Sequence, residues 1–217
     1  MSSDPCRGSE GLREMMWGSS DEVYVWVGLG SNLADPIKQL SRARAALRAL
    51  TRSPLLQSRL YQSAPWGYQE QPPFINQVVG LKPFLARPIL LLRELLEIER
   101  TLGRVRGLRW GPRLIDLDLL HWPGHQLQSA ELTLPHPEII HRRFVLQPWV
   151  ELSPDLVLPG HERSLQELLA RCPDDGALEP LEAEANEGRS PSLSRQDSPS
   201  SHEESPSSSP PQEQREP

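Results

Sequence analysis

Between Gly103 and Leu120 the chain reads GRVRGLRWGPRLIDLDLL. Arg104, Arg106, Arg109 and Arg113 fall within ten residues that contain no acid, and Asp116 and Asp118 follow at once. Side chains of a strand alternate between its faces, so residues two apart share one face. A strand over 114–122 therefore presents Asp116 and Asp118 together and turns Ile115, Leu117 and Leu119 the other way, toward a core. A carboxylate pair beside a field of guanidiniums suits a polyphosphate chelated to a divalent metal. Mg²⁺ takes one or two protein carboxylates and fills its other positions with water and phosphate oxygens, while planar guanidiniums clamp phosphate. Two adjacent carboxylates repel, and a bound cation relieves that repulsion.

The bland alternative is two solvated aspartates on the wet face of an open sheet. It accounts for the Asp-x-Asp alone but not for its arginine neighbours. The arginines have alternatives too: a solvated basic loop, or an RNA surface in which Arg109 and Trp110 stack on bases. Single-strand binders interleave several aromatics along a long basic track, whereas here the track is one loop. Glu99, Arg100 and Trp110 could line the same pocket, and Trp110 could equally be a hydrophobic plug.

These residues need a scaffold. Val23, Val25 and Val27 alternate with Tyr24 and Trp26, which predicts a strand over 22–27 that runs into GLGSNL, where Gly28 and Gly30 permit a tight turn. Asp35–Pro36 is a helix start, N-cap then first helical residue. Ile37, Leu40, Ala43, Leu47 and Leu50 follow at helical spacing. Strands are predicted over 55–62 and 74–81, separated by the loop SAPWGYQEQPP. A second helix begins near Pro88 and ends at Gly103. GHQLQSAELTL reads as a hairpin-like excursion, PHPEIIHRR and FVLQPWVEL as short helical pieces, and 164–171 as a last helix. The order β-α-β-β-α-β predicts an α+β domain of ferredoxin-like type, a mostly antiparallel sheet with helices packed on it.

The 217 residues carry a net charge of −6, and the last 37 hold eight acids against three arginines, which leaves the rest nearly neutral. Net charge thus gives no support to general nucleic-acid binding. After Ala185 the only large apolar residue is Leu193, among ten serines and six prolines. Such composition cannot bury enough apolar surface to offset chain entropy. The expected organisation is a disordered segment over 1–20, a folded domain over 21–175 and a disordered acidic tail over 176–217. Cys6 and Cys172 suggest free thiols, no apolar run reaches the ~18–20 residues of a membrane span, and the first residues lack the apolar core of a secretion signal. A soluble cytoplasmic protein without membrane partners is expected.

Several familiar chemistries find no support. GLGSN lacks the third glycine of a dinucleotide fingerprint, Leu33 standing in its place, and no Walker-type motif occurs. His136 and His141 have no third ligand nearby to make a zinc site, and a histidine contacting phosphate or capping a loop is the better account. No local motif supports a serine or cysteine nucleophile.

Four blocks, GLGSNL (28–33), YQSAPWGYQEQPPFIN (61–76), LGRVRGLRWGPRLIDLDLL (102–120) and LTLPHPEIIHRRFVLQPWVEL (132–152), closely resemble the 6-hydroxymethyl-7,8-dihydropterin pyrophosphokinases of folate biosynthesis. The resemblance spans roughly 22–172. It implies a small ferredoxin-like domain that transfers pyrophosphate from ATP to the pterin hydroxymethyl group and releases AMP. By position, Asp116 and Asp118 match aspartates that bind two Mg²⁺ ions, and with Arg104 and Arg113 they form the implied catalytic set. Glu99, Arg106, Arg109, Trp110, Thr133, His136 and Arg142 match the ATP site. Ser63, Ala64, Trp66, Phe74, Asn76 and Phe144 match the pterin pocket, where Phe74 and Phe144 can sandwich a flat heterocycle and Asn76 can read its amide edge. The chain departs from the family at Ser63–Ala64, often Thr-Pro, at Trp66, often Leu, and at Pro137, an aromatic in some relatives; these touch pocket shape. The implied partners are small molecules only, with no nucleic acid, and the protein is expected to be a monomer. The alternative is a non-catalytic ferredoxin-like nucleic-acid-binding module.

Overall fold

Alternation along the first strand decides the architecture. In the computed structural model, which describes residues 23–105 and 111–182, strand β1 (Val25–Ser31) turns Val25, Val27 and Leu29 to one face and Trp26, Gly28 and Gly30 to the other. After it come α1 (Pro36–Leu47), β2 (Leu56–Gln57), β3 (Tyr61–Ser63), β4 (Phe74–Leu81), α2 (Pro88–Thr101) and β5 (Asp116–His121). The hairpin β6 (Leu127–Gln128) and β7 (Thr133–Leu134) follows, then α3 (Arg143–Val150), α4 (Leu165–Ala170) and β8 (Leu178–Pro180). The main sheet runs β5-β1-β4-β3-β8, antiparallel at every pairing, with β2 also on β4. Its core, β1-α1-β3-β4-α2-β5 with β1 between β5 and β4, is the ferredoxin-like α+β arrangement.

The start and stop signals act as expected. Asp35 Oδ1 accepts the Lys38 N–H at 3.1 Å and caps α1, with Pro36 in the first turn. Gly103 follows α2 with φ +92°, a conformation that a side chain resists. Three expectations shift. Gly28 and Gly30 lie within β1 instead of a turn, because β1 is paired on both sides through Gly30, and a turn there would break two ladders. The strand expected over 55–62 is two short ones, β2 and β3. The stretch expected to begin the tail at 176 instead carries β8, whose residues 178–180 pair with β3. Residues 1–22 and 183–217 lie outside the described residues.

The sheet is covered on both faces, but unequally. On one face Val27, Leu29, Val79, Leu117 and Leu119 meet Leu40, Ala43 and Leu47 of α1 and Leu91 and Leu95 of α2. On the other, Trp26, Val78 and Leu120 meet Leu146 and Trp149 of α3 and Leu165 and Leu168 of α4. Trp26 and Trp149 sit with ring centroids 5.6 Å apart. Emptying the fully buried Trp149 site would cost about 3–5 kcal/mol, so this cover is firmly held. Yet α3 and α4 reach only the half of the face that presents Trp26 and Leu120. The other half, over Gly28, Gly30, Asn76, Asp116 and Asp118, is where a cavity opens.

His121, 2 % exposed at the end of β5, packs 6.4 Å from Trp149 with its Nδ1 unpartnered. Burial, aided by nearby His125, holds its pKa down at about 4. The folded state therefore keeps this imidazole neutral while the unfolded chain protonates it below about 6.5. Its contribution is intact above pH 6.5 and is lost as pH falls to 4, by up to about 3 kcal/mol. His121→Gln should flatten the fall in stability between pH 6.5 and 4 relative to wild type, as read from denaturant unfolding at stepped pH; equal slopes would show that His121 does not carry it.

Candidate active site

The register across β1 sets the floor of the cavity. Gly28 lies opposite Asp118 on one side and Val78 on the other; Gly30 lies opposite Asp116 and Asn76. A side chain at Gly30 would rise between those neighbours, and one at Gly28 would meet Leu120. A Cβ on Gly30 would sit 3.5 Å from Asn76 Oδ1 and 4.0 Å from Asp116 Cβ, so a methyl fits and anything longer fills the space above. The glycines thus hold a carboxylate pair and an amide apart across an open floor. Around it stand Ser63, Ala64, Trp66, Phe74, Arg113, Arg142 and Phe144. Asn76 Nδ2 donates to Ser63 Oγ at 2.9 Å, which fixes the amide and leaves its oxygen facing Gly30.

Asp116 is gripped at both oxygens: Arg104 Nη1 donates to Oδ1 and Arg113 Nη1 to Oδ2. The same Arg104 nitrogen also pairs with Glu99 Oε1. Glu99 comes from the inner face of α2 and is 3 % exposed; its Oε1 accepts the Leu117 N–H at 2.6 Å. Burial pushes the Glu99 carboxyl up to about 6, against the pull of that N–H and of Arg104. Asp118 is less well met. Arg142 Nη1 lies 3.9 Å from its Oδ2, too long for a hydrogen bond. Desolvation first, and then the Asp116 charge, push the Asp118 carboxyl up to about 7, although 41 % of its side-chain surface remains open. Among the described residues the pair is thus one compensated carboxylate beside one that lacks a close counter-charge.

Arg142 is held by its faces. Its guanidinium lies 5.2 Å from the Trp66 ring centroid and 5.9 Å from that of Phe144, and its buried Nε has no hydrogen-bond partner among the described residues. On the opposite side of the aspartates a second cavity is lined by Leu92, Leu96, Glu99, Arg104, Leu132, Thr133 and His136, together with Asp116 and Asp118. His136 Nδ1 accepts the Glu138 N–H at 3.2 Å, and burial, reinforced by Arg142, holds the ring's pKa down at about 4. A neutral imidazole that accepts at Nδ1 carries its proton on Nε2 and can donate there. The two cavities share the carboxylates: one is walled by aromatics and an amide, the other by aliphatics, an arginine and a histidine.

Every predicted pterin-pocket residue (Ser63, Ala64, Trp66, Phe74, Asn76, Phe144) lines the first cavity, and Glu99, Arg104, Thr133 and His136 line the second. Arg142, grouped by resemblance with the nucleotide positions, stands in the first cavity, because it is the N-cap of α3 next to Phe144. Arg106, Arg109 and Trp110 lie outside the described residues. Motif and spacing do not single out Ser31 and Asn32, yet both hold the site together. Ser31 Oγ donates to Leu114 O at 2.6 Å; Asn32 Oδ1 accepts the Arg113 N–H at 2.8 Å, while its Nδ2 donates to Gln71 Oε1 and Pro72 O, both at 3.0 Å. Together they tie the arginine connection and the 64–73 loop to the end of β1. The one signal of them in the chain is two polar residues closing an apolar strand, positions that burial would make costly without partners.

The family model for 7,8-dihydro-6-hydroxymethylpterin-pyrophosphokinase matches residues 26–154. The chain belongs to that family. A 2-amino-4-hydroxy-6-hydroxymethyldihydropteridine pyrophosphokinase of Pseudomonas aeruginosa is 47% identical over 153 residues, 70% of this chain and 93% of that protein. The enzyme of the same name from Haemophilus influenzae is 40% identical over 141 residues, 64% of this chain and 88% of its own. Among solved structures, an HPPK-DHPS in complex with substrates superposes with a TM-score of 0.54 at 12% identity, covering 69% of this chain and 43% of that one. This chain therefore spans under half of that longer protein, and the likeness bears on the fold. Membership makes a flat pterin the ligand to test against this floor, which the two glycines leave open. Gly30→Ala should keep pterin binding, whereas Gly30→Leu should fold yet weaken it roughly tenfold or more, the scale of one misfitted pocket group. Fluorescence titration with the pterin checks this; unchanged affinity in Gly30→Leu would remove the glycine floor from the account.

Proposed function

We propose that this chain transfers pyrophosphate from ATP to 6-hydroxymethyl-7,8-dihydropterin, giving AMP and the pterin diphosphate in folate biosynthesis, and that it requires Mg²⁺. The observation that carries the reading is the meeting of two chemically different cavities at one carboxylate pair. The first suits the pterin: Phe74 and Phe144 offer ring faces and Asn76 an amide edge. The second suits the nucleotide: Leu92, Leu96 and Leu132 offer an apolar wall for a base, with Thr133 and His136 as hydrogen-bonding groups.

The donor set fits a divalent cation. Asp116 and Asp118 lie on one strand face, and the raised pKa of Asp118 records a charge that a cation would stabilise. No group of three potential ligands occurs among the described residues, which accords with Mg²⁺ drawing its remaining ligands from phosphate and water. When bound, Mg²⁺, expected as two ions, would neutralise triphosphate charge and make the pterin hydroxyl a better nucleophile. The hydroxymethyl oxygen forms its bond to the β-phosphorus as the bond from that phosphorus to the bridging oxygen of AMP breaks, and the hydroxyl proton passes to water. Chemistry of this kind is accelerated mainly by positioning and charge stabilisation. Arg104 and Arg113, which already converge on Asp116, would turn toward phosphate oxygens and stabilise charge on the transferred group and on departing AMP. Arg142, whose guanidinium stands in the first cavity, would hold phosphate from the pterin side. Arg106, Arg109 and Trp110 are proposed as further nucleotide contacts on the connection between α2 and β5.

We further propose a cytoplasmic monomer that acts on small molecules. No described helix is long and apolar enough to cross a membrane. The nucleic-acid alternative is disfavoured because Arg104, Arg113 and Arg142 turn into a cleft toward carboxylates instead of lining an open track.

Asp118→Ala should fold and still bind the pterin but lose Mg²⁺-dependent AMP release by on the order of a thousandfold, the scale of several kcal/mol of charge stabilisation. Near-normal turnover would refute the metal assignment. Arg113→Ala should lower kcat roughly a hundredfold while shifting the pterin KM much less, as expected for a group used in the transition state. An unchanged kcat would leave Arg113 as a structural clasp for Asp116.

A further inference from the structure

A short segment beyond the family-matched residues reaches both walls of the proposed pterin pocket. Asp174 Oδ2 accepts the Arg143 N–H, the first of α3, at 2.9 Å. Helix starts leave such N–H groups without partners, and a carboxylate there also meets the positive end of the helix. The N-cap residue of α3, Arg142, provides no side-chain cap of its own, so the cap comes from 31 residues further along. Asp174 is itself oriented, its Oδ1 accepting the Gly176 N–H at 3.1 Å. Beyond this turn the chain enters β8, where Leu178 pairs with Ser63 and Leu181 N donates to Leu60 O at 2.8 Å.

The two anchors belong to two different elements that line the pocket. β3 delivers Ser63, which fixes the Asn76 amide. The start of α3 delivers Arg142 and Phe144. Between them a small cavity is lined by Ser63, Ala64, Phe144, Asp174 and Leu178, so strap and pocket walls share side chains. β3 is only three residues long, and β8 covers the edge that β4 does not. A three-residue strand and a helix of eight residues have little rigidity of their own.

We propose that residues 173–181 form a strap that sets the separation of the two pocket walls, with Asp174 as a positioning residue for pterin binding. It touches no substrate and acts through α3, by fixing where Arg142 and Phe144 stand relative to Ser63 and Asn76. The proposal rests on the pterin assignment above. Its signature is selectivity: the pterin side loosens more than the nucleotide side, which is built from α2, β5 and β7 and which the strap reaches only through Arg142.

The test uses the full chain with Asp174→Ala and Asp174→Asn, measuring KM for each substrate and pterin affinity with a non-hydrolysable ATP analogue and Mg²⁺ present. Asp174→Ala should raise pterin KM and Kd roughly tenfold, the effect of one ordinary cap lost wholly from binding, with the ATP KM rising far less, through Arg142 alone. Asparagine keeps an acceptor oxygen but not the charge, so Asp174→Asn should recover most of the loss and remain about threefold weak. Should the alanine variant not fold, the asparagine variant decides alone by the same selectivity. Unaltered pterin binding, or an equal rise in both KM values, overturns the strap. A wild-type protein that binds no pterin would instead overturn the functional assignment on which the strap rests.

Discussion

Carboxylates on the inner part of a sheet face must find counter-charges, and the cleft is organised around that requirement. Glu99, Asp116 and Asp118 are met by Arg104, Arg113 and Arg142, but unequally. Asp116 has a guanidinium on each oxygen, whereas Asp118 has one at 3.9 Å and is pushed up to about 7. The cluster is balanced in formal charge without being saturated in hydrogen bonds. In the proposed reaction a polyphosphate would draw Arg104 and Arg113 from Asp116 and so strip that carboxylate of its compensation. A cation beside the pair restores it. Polyanion and cation should then bind better together than either alone, a coupling built from the Asp116 contacts themselves.

The unequal covering of the sheet makes room for this chemistry without sacrificing the fold. One face is closed by α1 and α2 with an aliphatic interior. The other is sealed at one end by Trp26, Trp149 and the α3–α4 pair. Between the sealed end and the cleft the same strands change character: β1 passes from Trp26 to Gly28 and Gly30, β4 from Val78 to Asn76, and β5 from Leu120 to Asp118 and Asp116. Side chains shrink or become polar in step across three neighbouring strands. A site built on paired strands keeps its groups in register, as their roles require, whereas loops alone would leave them loose.

Period-two alternation makes the common face of Asp116 and Asp118 legible in the order of residues alone, because alternation is a local property of an extended chain. The two helices are legible for the same reason, through Asp35–Pro36 at one start and Gly103 at one end. Gly28 and Gly30 mislead: local freedom suggests a turn, but double-sided pairing of β1 overrides it, and what matters is the missing side chain. The partners of Asn32 and Asp174 are not legible, since they lie 81 and 31 residues away; a polar residue closing an apolar strand shows only that Asn32 needs one. The resemblance names Arg142 as a candidate site residue, but nothing in the chain shows it held between Trp66 and Phe144, because its location depends on how α3 meets the sheet.

Glu99 shows why stability and chemistry cannot be separated here. Among the described residues β5 is an edge strand, paired only with β1, so the outward N–H of Leu117 would lack a partner in a buried setting. Glu99 supplies it from α2 at 2.6 Å. Burying a carboxylate for that purpose is costly, as its pKa near 6 records, and Arg104 offsets part of the cost. Arg104 in turn bridges to Asp116. The interaction that satisfies the strand edge therefore also fixes one of the two arginines that aim at the proposed phosphate position. Replacing Glu99 with an apolar residue would free that arginine and orphan the N–H at the same time, so neither effect can be altered alone by a change at this position.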